Sequence, residues 1–215
     1  MKIKWLGVAS FLMTTESGIR IILDPYKSGG PIKSAEYTGP ADIVTVSHEH
    51  GDHNNTAVIQ GNPVIVKSVN PVDVKGIKIY GVAAYHDEVQ GKKRGRNTVF
   101  CFDIDGLHLC HCGDLGHMLN DEQIKQIGPV DILLTPVGGL WAIDAATAWE
   151  LAQKLHAKIV IPMHFHDERC DFPVAGVDEF LKGKKNVQLV NSSEIEFKKG
   201  KLPAETQIIV LKPAL

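Results

Sequence analysis

The stretch "SHEHGDHNN", residues 47–55, concentrates metal-binding side chains in a few positions. His48 and His50 are separated by one residue, so in an extended chain they point the same way and can hold one metal ion. Asp52 and His53 follow a tight turn that Gly51 allows, and they can reach a second ion. Imidazole nitrogens and carboxylate oxygens suit zinc and related first-row metals. The competing interpretation is a solvated polar turn.

More candidate ligands stand where other apolar runs end. "IILDPY" ends near Asp24, "VAAYHD" near His86, "LHLCHCGD" near His111 and Asp114, and "KIVIPMH" at His164. These runs read as strands because they are short and rich in valine and isoleucine. Ligands at the ends of strands are expected where the edges of sheets converge on one cleft. One loop cannot supply all the ligands of two metal ions. The residues at the ends of the other strands are therefore the predicted source of the remaining ligands.

The order of these motifs resembles that of a known family. "LDPY", "SHEHGDH", "AYHDE", "CHCGDLG", "TPVGG" and "VIPMHF" occur in the order found in the metallo-β-lactamase superfamily. The closer resemblance is to its compact branch of metal-dependent hydrolases, which includes L-ascorbate-6-phosphate lactonase-like proteins. This resemblance implies an α/β fold, a four-layer αβ/βα sandwich with mixed sheets. The metal site is then expected at the edge where the two sheets meet.

The resemblance also implies seven metal ligands, arranged in two sets that share one carboxylate. The first set is His48, His50 and His86, the second is Asp52, His53 and His164, and the shared carboxylate is Asp114. Asp114 is expected to present one oxygen to each cation. Asp24 resembles the family's acid that orients a ligand histidine.

Several of these residues have plainer interpretations. His86 can be a core histidine, and Asp114 can simply form a turn beside Gly113. For His111 we weigh three roles: an outer partner of the site, a proton donor to the leaving group, or simple packing. Glu49 is expected to point away from the site and to do no chemistry.

The predicted function is hydrolysis by hydroxide held at a dinuclear site, with zinc favoured and manganese, iron or nickel as alternatives. Asp52 and Asp114 are expected to orient the nucleophile, and the substrate class is a small-molecule ester, lactone or phosphoester. One alternative is a di-iron redox enzyme on the same fold. In that branch the corresponding motif resembles His-x-Glu-x-Asp, whereas this chain has a histidine, His50, at the position of the glutamate. Another alternative is a metal-binding protein without catalysis.

Composition narrows the class of protein. The 215 residues fit one domain spanning 1–215, and hydrophobic residues make up 44% of the chain. A formal net charge of -2 gives no basic field for nucleic acid or membrane, so a small-molecule substrate is the expected partner, with homo-oligomerisation left open. The apolar runs predict neither a signal peptide nor a transmembrane helix. Four cysteines without a secretion signal favour reduced thiols and a cytoplasmic protein.

Local patterns predict three further features. Asp105 and Gly106 predict a hairpin that joins residues 99–104 to residues 107–112. Helices are predicted after Asp144, with an apolar face of Ala148, Leu151, Ala152 and Leu155, and after Asn120 and Gly176. The basic cluster of residues 92–96, "KKRGR", is either a solvated loop or a contact for an anionic substrate group.

Overall fold

The computed structural model describes residues 1–214 and contains two mixed β-sheets. Their strands, in chain order, are β1 (Lys2–Gly7), β2 (Ser10–Thr14), β3 (Arg20–Leu23), β4 (Ile43–Thr45), β5 (Val64–Val66), β6 (Val72–Val74), β7 (Ile77–Tyr85), β8 (Arg96–Ile104), β9 (Leu107–His111), β10 (Ile132–Pro136), β11 (Ile159–Met163), β12 (Val187–Leu189), β13 (Glu194–Glu196) and β14 (Gln207–Val210). One sheet has the order β13-β1-β2-β3-β4-β5, and the other has the order β12-β14-β11-β10-β9-β8-β7-β6.

The larger hydrophobic core joins the two sheets. Strands β3 and β4 show why: Ile21 and Ile43 belong to this core, while Ile22 and Val44 belong to a second apolar cluster on the other face. Successive side chains of a strand point to opposite faces, so both faces of this sheet are buried. This explains the continuous apolar runs in the sequence.

The outer layers differ between the two sheets. Helices α1 (Asp121–Ile127) and α2 (Ala145–Lys154) pack on the eight-stranded sheet, and α3 (Val177–Leu181) packs on α2. On the six-stranded sheet, the outer apolar cluster is completed by loop residues such as Tyr26, Ile32 and Phe172. Within residues 1–214, only the short 3-10 helix Thr56–Val58 adds a helical turn to this side. The prolines and glycines of residues 25–40 explain this layer, because they disfavour helix.

The predicted hairpin is confirmed. Asp105 and Gly106 form the turn with φ values of 51° and 75°, and β8 pairs with β9 so that Ile104 faces Leu107. Strand β8 begins at Arg96, three residues before the predicted start, and β9 ends at His111.

The predicted helices are also present. The Asp144 side chain accepts a hydrogen bond from the Thr147 backbone N–H at 2.8 Å and caps α2. The predicted apolar face of α2 is buried: Ala148, Leu151, Ala152 and the C-cap residue Leu155. Among residues 1–214, no helix has both the length and the hydropathy that a membrane span requires.

Strand direction determines where the candidate ligands meet. Strands β3 and β4 run parallel, and so do β9, β10 and β11, while β7 and β9 share one direction because each is antiparallel to β8. The carboxyl ends of β3, β4, β7, β9 and β11 each lead directly into a candidate ligand or its partner acid. The predicted αβ/βα sandwich with mixed sheets therefore places these residues at one edge.

Replacing Asp144 with alanine removes the N-terminal cap of α2. We expect the free energy of unfolding to fall by about 1 kcal/mol, measured by urea denaturation. Glu150→Ala on the same helix is the control, because its exposed pair with Lys154 contributes at most about 0.5 kcal/mol. Equal stability of D144A and the wild type would contradict the capping role.

Candidate metal centre

The structure brings all seven predicted ligands together in two groups. In each group the potential ligand atoms all lie within 4.8 Å of one another. One group is His48, His50 and His86, and the other is Asp52, His53, Asp114 and His164. Six of the seven side chains are wholly or largely shielded from solvent, whereas His50 is exposed.

Asp114 lies between the two groups. Its Oδ2 atom is 3.2 Å from His53 Nε2, 3.3 Å from His86 Nε2, 3.4 Å from His164 Nε2 and 3.9 Å from His48 Nε2. The resemblance implied one oxygen for each cation. Oδ2 therefore lies close to members of both groups, while Oδ1 is buried without a hydrogen-bond partner among residues 1–214, so one oxygen for each cation stays a prediction.

Backbone and side-chain hydrogen bonds orient the histidines of the loop after β4. The His53 backbone N–H donates to the His50 carbonyl at 3.0 Å, which closes the turn around Gly51. His48 Nδ1 lies 3.0 Å from Ser47 Oγ, and its Nε2 lies 3.1 Å from His50 Nδ1. The ring nitrogens of His48 and His50 are therefore directed at a common point.

Asp24 orients the second histidine of this loop. Its carboxylate is fully buried and accepts hydrogen bonds from His53 Nδ1–H at 2.8 Å and from the Ser47 backbone N–H at 2.7 Å. With Nδ1 carrying the proton, His53 Nε2 is free to bind a cation. Asp24 and His164 both have left-handed backbones, with φ values of 43° and 51°. Such strain in non-glycine residues is typical of functional sites.

The electrostatics favour the forms that bind cations. Burial raises the pKa of Asp114, but His164 and His53 lower it further, and the result is well below the usual range. Burial likewise raises the pKa of Asp52, and His53 lowers it to about 2. Burial and the neighbouring His53 lower the pKa of His48 to about 3. The carboxylates are thus ionised and His48 is neutral at pH 7.

The pKa of His53 is shifted in the opposite direction to that of His48. Burial lowers its pKa, but the carboxylates of Asp114 and Asp52 raise it well above the ordinary value. The direction of this pKa shift shows that the two carboxylates favour positive charge at the position of His53.

The residues fit divalent cations. His53 Nε2, His164 Nε2 and Asp114 Oδ1 are buried and have no hydrogen-bond partner among residues 1–214. Buried polar atoms are normally paired, and unpaired ones often face an ion. The separations of 3.2–3.4 Å between Asp114 Oδ2 and its three nearest nitrogens match the roughly 3.3 Å between ligands of tetrahedral zinc.

Asn97 holds the turn that carries Asp114. Its Nδ2 donates to the Cys112 carbonyl at 2.9 Å, and its Oδ1 accepts from the Asp114 backbone N–H at 3.0 Å. Gly113 lies in this turn with φ of 54°, and a Cβ there would come within 2.6 Å of Asn97 Oδ1. Sequence reasoning missed Asn97. Its signal was the hairpin register, because continuing the pairing of β8 with β9 places Asn97 opposite Asp114.

Asp87, directly after His86, was also missed. Its carboxylate accepts hydrogen bonds from the backbone N–H groups of Val89, Gly91, Lys93 and Arg94, at 2.7–2.9 Å. Four amides around one carboxylate give residues 87–94 a defined shape. The basic cluster is therefore part of an ordered loop.

His111 does not join the two groups. It is fully buried, and its Nε2–H donates to the Ala9 carbonyl at 2.8 Å, while its ring lies edge-on to Phe11. A side chain enclosed in this way cannot donate a proton to a leaving group, so that predicted catalytic role is not supported. Packing between the two sheets, one of the three predicted roles, fits its surroundings.

Glu49 points away from the centre, as expected. It is exposed and forms an ion pair with Lys67 at 2.8 Å and a hydrogen bond with Asn54 at 2.7 Å.

An open cavity of about 950 Å³ adjoins the first group. His48 and His50 form part of its wall, together with Tyr85, Arg94 and Arg96. A pocket of this size accommodates a small molecule beside the ligands.

Comparison with known proteins identifies the family. The family profile of the beta-lactamase superfamily domain matches residues 2–164. The chain belongs to this superfamily. It is 31% identical to a UPF0173 metal-dependent hydrolase from Carboxydothermus hydrogenoformans, over 83% of this chain and 88% of the relative. A similar hydrolase from Thermococcus onnurineus is 28% identical, over 77% and 85% of the two chains.

A solved structure supports the same family. A Thermotoga maritima protein, assigned to the zinc-dependent hydrolases of the metallo-β-lactamase superfamily, is 36% identical and superposes with a TM-score of 0.82. The match covers 98% of this chain and 97% of the other. The predicted superfamily, fold and metal-dependent hydrolase class are thereby confirmed.

Replacing Asp24 with alanine leaves His53 Nδ1 and the Ser47 N–H without their buried acceptor. We expect zinc affinity to fall by about 10- to 100-fold, measured by competition with a chromophoric chelator. Asp171→Ala is the matched control because Asp171 is an exposed acid with only loose contacts, to Lys33 at 3.5 Å and to His166 at 3.9 Å. Unchanged zinc affinity in D24A would refute the orienting role of Asp24.

Proposed function

We propose that this metal-dependent hydrolase uses two divalent cations, with zinc favoured, to cleave a small-molecule ester, lactone or phosphoester. The observation that carries the proposal is the position of Asp114 Oδ2, which lies 3.2–3.4 Å from nitrogens of both ligand groups. A carboxylate oxygen close to both ligand groups can be shared by a pair of cations.

Each ligand group would hold one cation. His48, His50 and His86 would hold the first, Asp52, His53 and His164 would hold the second, and both would share Asp114. When bound, such cations act as Lewis acids and lower the pKa of a coordinated water from about 15.7 toward 7, which makes hydroxide available at neutral pH.

The protein's own residues orient the reactants. Asp52 keeps a partly exposed, ionised side chain, with Oδ2 3.5 Å from His53 Nε2. It can therefore accept a hydrogen bond from an attacking water at the open side of the second group. Asp114 is buried, and Asn97 accepts a hydrogen bond from its backbone N–H, so the turn that carries this carboxylate is fixed. Fixed charges of this kind stabilise a transition state without reorganisation.

The cavity supports a small-molecule substrate. It opens beside His48 and His50, and its volume of about 950 Å³ lies within the range of ligand pockets. A carbonyl or phosphoryl centre placed at the ligand groups leaves the rest of such a substrate in the cavity.

Metal content tests the cofactor. Protein purified without chelator is expected to carry about two divalent ions per chain, measured by mass spectrometry of the elements. Removing them should abolish hydrolysis of a panel of lactones and phosphodiesters, and zinc should restore it. Fewer than one ion per chain, together with no metal-stimulated hydrolysis, would overturn the proposal.

Replacing Asp114 with alanine should lower kcat by about 100-fold or more while the fold is retained, because both groups lose their shared ligand. Circular dichroism checks the fold, and Glu150→Ala is the control because Glu150 is an exposed acid on α2 that does not line the cavity. Turnover in D114A equal to that of E150A would refute the role of Asp114 as a ligand shared by both groups.

A further inference from the structure

The cavity beside the metal centre has an unbalanced charge. Its charged lining residues are Glu49, Lys67, Arg94 and Arg96. Glu49 and Lys67 neutralise one another, with contacts of 2.8 and 3.2 Å between Lys67 Nζ and the two carboxylate oxygens. In the part of the chain that the structure describes, neither arginine forms an ion pair with a carboxylate. Two positive charges thus face the cavity without a partner.

The loop that carries these arginines is held in shape from within. Asp87 accepts the backbone N–H of Arg94 at 2.8 Å, and the His86 N–H donates to the Gly95 carbonyl at 3.1 Å. The position of the Arg94 backbone is therefore coupled to that of a metal ligand. A guanidinium presented from an ordered backbone loses less entropy when it binds an anion.

Arg94 also reaches toward the second ligand group. Its guanidinium lies 5.9 Å from the centroid of the Trp141 ring, a cation–π contact that limits its movement. Trp141 packs edge-on against Phe172 at 5.2 Å, and Phe172 stacks on His164 at 5.3 Å. A chain of ring contacts therefore connects Arg94 with the ligand His164.

The two lysines of the same loop behave differently. Lys92 and Lys93 are exposed, they do not line the cavity, and Lys93 forms an ion pair with Glu88. The basic cluster thus divides into two solvated lysines and two arginines that face the cavity. Only the arginines can contact a molecule bound beside the metal centre.

We propose that Arg94 and Arg96 determine specificity by binding an anionic group, a carboxylate or a phosphate, that the substrate carries in addition to the bond that is cleaved. This inference rests on the proposed hydrolase function of the same site. The planar guanidinium forms paired, charge-assisted hydrogen bonds with both kinds of oxyanion. The expected substrate class is therefore a small anionic ester, lactone or phosphoester, bound with its charge in the cavity and its reactive centre at the ligands.

The kinetic test compares a charged with a neutral ester. The probes are 4-nitrophenyl hemisuccinate, which has a free carboxylate, and 4-nitrophenyl butyrate, which does not. In the double variant R94Q/R96Q, the ratio of kcat/KM for the charged to the neutral ester should fall by about 10- to 100-fold, mainly through KM. The double variant K92Q/K93Q removes the same charge from the same loop and should leave this ratio unchanged. An equal fall in both double variants would overturn the assignment.

A binding measurement separates this inference from the hydrolase function. Inorganic phosphate is titrated calorimetrically into the wild type and both double variants. Weaker binding in R94Q/R96Q alone supports the anion site even if neither ester is hydrolysed, an outcome that counts only against the hydrolase function. Phosphate affinity that is equal in all three proteins, or no phosphate binding to the wild type, overturns the anion site even if both esters are hydrolysed.

Discussion

The hydrogen bond from His53 Nδ1 to the buried Asp24 carboxylate is the contact on which the metal centre depends. It joins the ends of two parallel neighbours, β3 and β4, and it fixes which nitrogen of His53 is free. Since the same carboxylate also holds the Ser47 N–H, it sets the start of the whole histidine loop. The other ligands follow strands that run in the same direction in the second sheet, so a shared edge and one oriented imidazole are enough to bring the two groups together.

This arrangement has an energetic cost. Asp24, Asp114 and His53 are all almost fully buried, and removing charged groups from water is unfavourable unless each finds a partner. The left-handed backbones of Asp24 and His164 add strain of the order of 1–3 kcal/mol each. Burial of the large apolar core between the sheets offsets this unfavourable free energy. Cation binding would offset part of the cost, because a cation would give the buried Asp114 carboxylate a positive partner.

Much of this could be predicted from the sequence, because ligands and turns have local signatures. The hairpin at Asp105 and Gly106 and the cap at Asp144 depend on short patterns, and the structure shows both. Contacts that depend on the pairing register of two strands, or on the path of a loop, have only weak signatures in the sequence. Asn97 acts through its position opposite Asp114, and Asp87 acts through amides of its own loop, so neither has a recognisable motif. His111 stands at the end of an apolar run, as the ligands do. However, alternate side chains of strand β9 point to opposite faces, and His111 is on the face that is buried between the sheets.

The loop built on Asp87 has a consequence for how such proteins diversify. The carboxylate binds main-chain N–H groups, which every residue except proline provides, so these hydrogen bonds do not depend on the side chains at positions 89, 93 and 94. Gly91 is the exception, because its φ is 79° and a Cβ there would come within 3.0 Å of the Gly95 carbonyl oxygen. Mutations at positions 89, 93 and 94 can exchange one contacting group for another while the backbone keeps its course and the neighbouring His86 stays in place. Under the proposed role of Arg94, a substitution at this position would change substrate preference without moving the metal ligands.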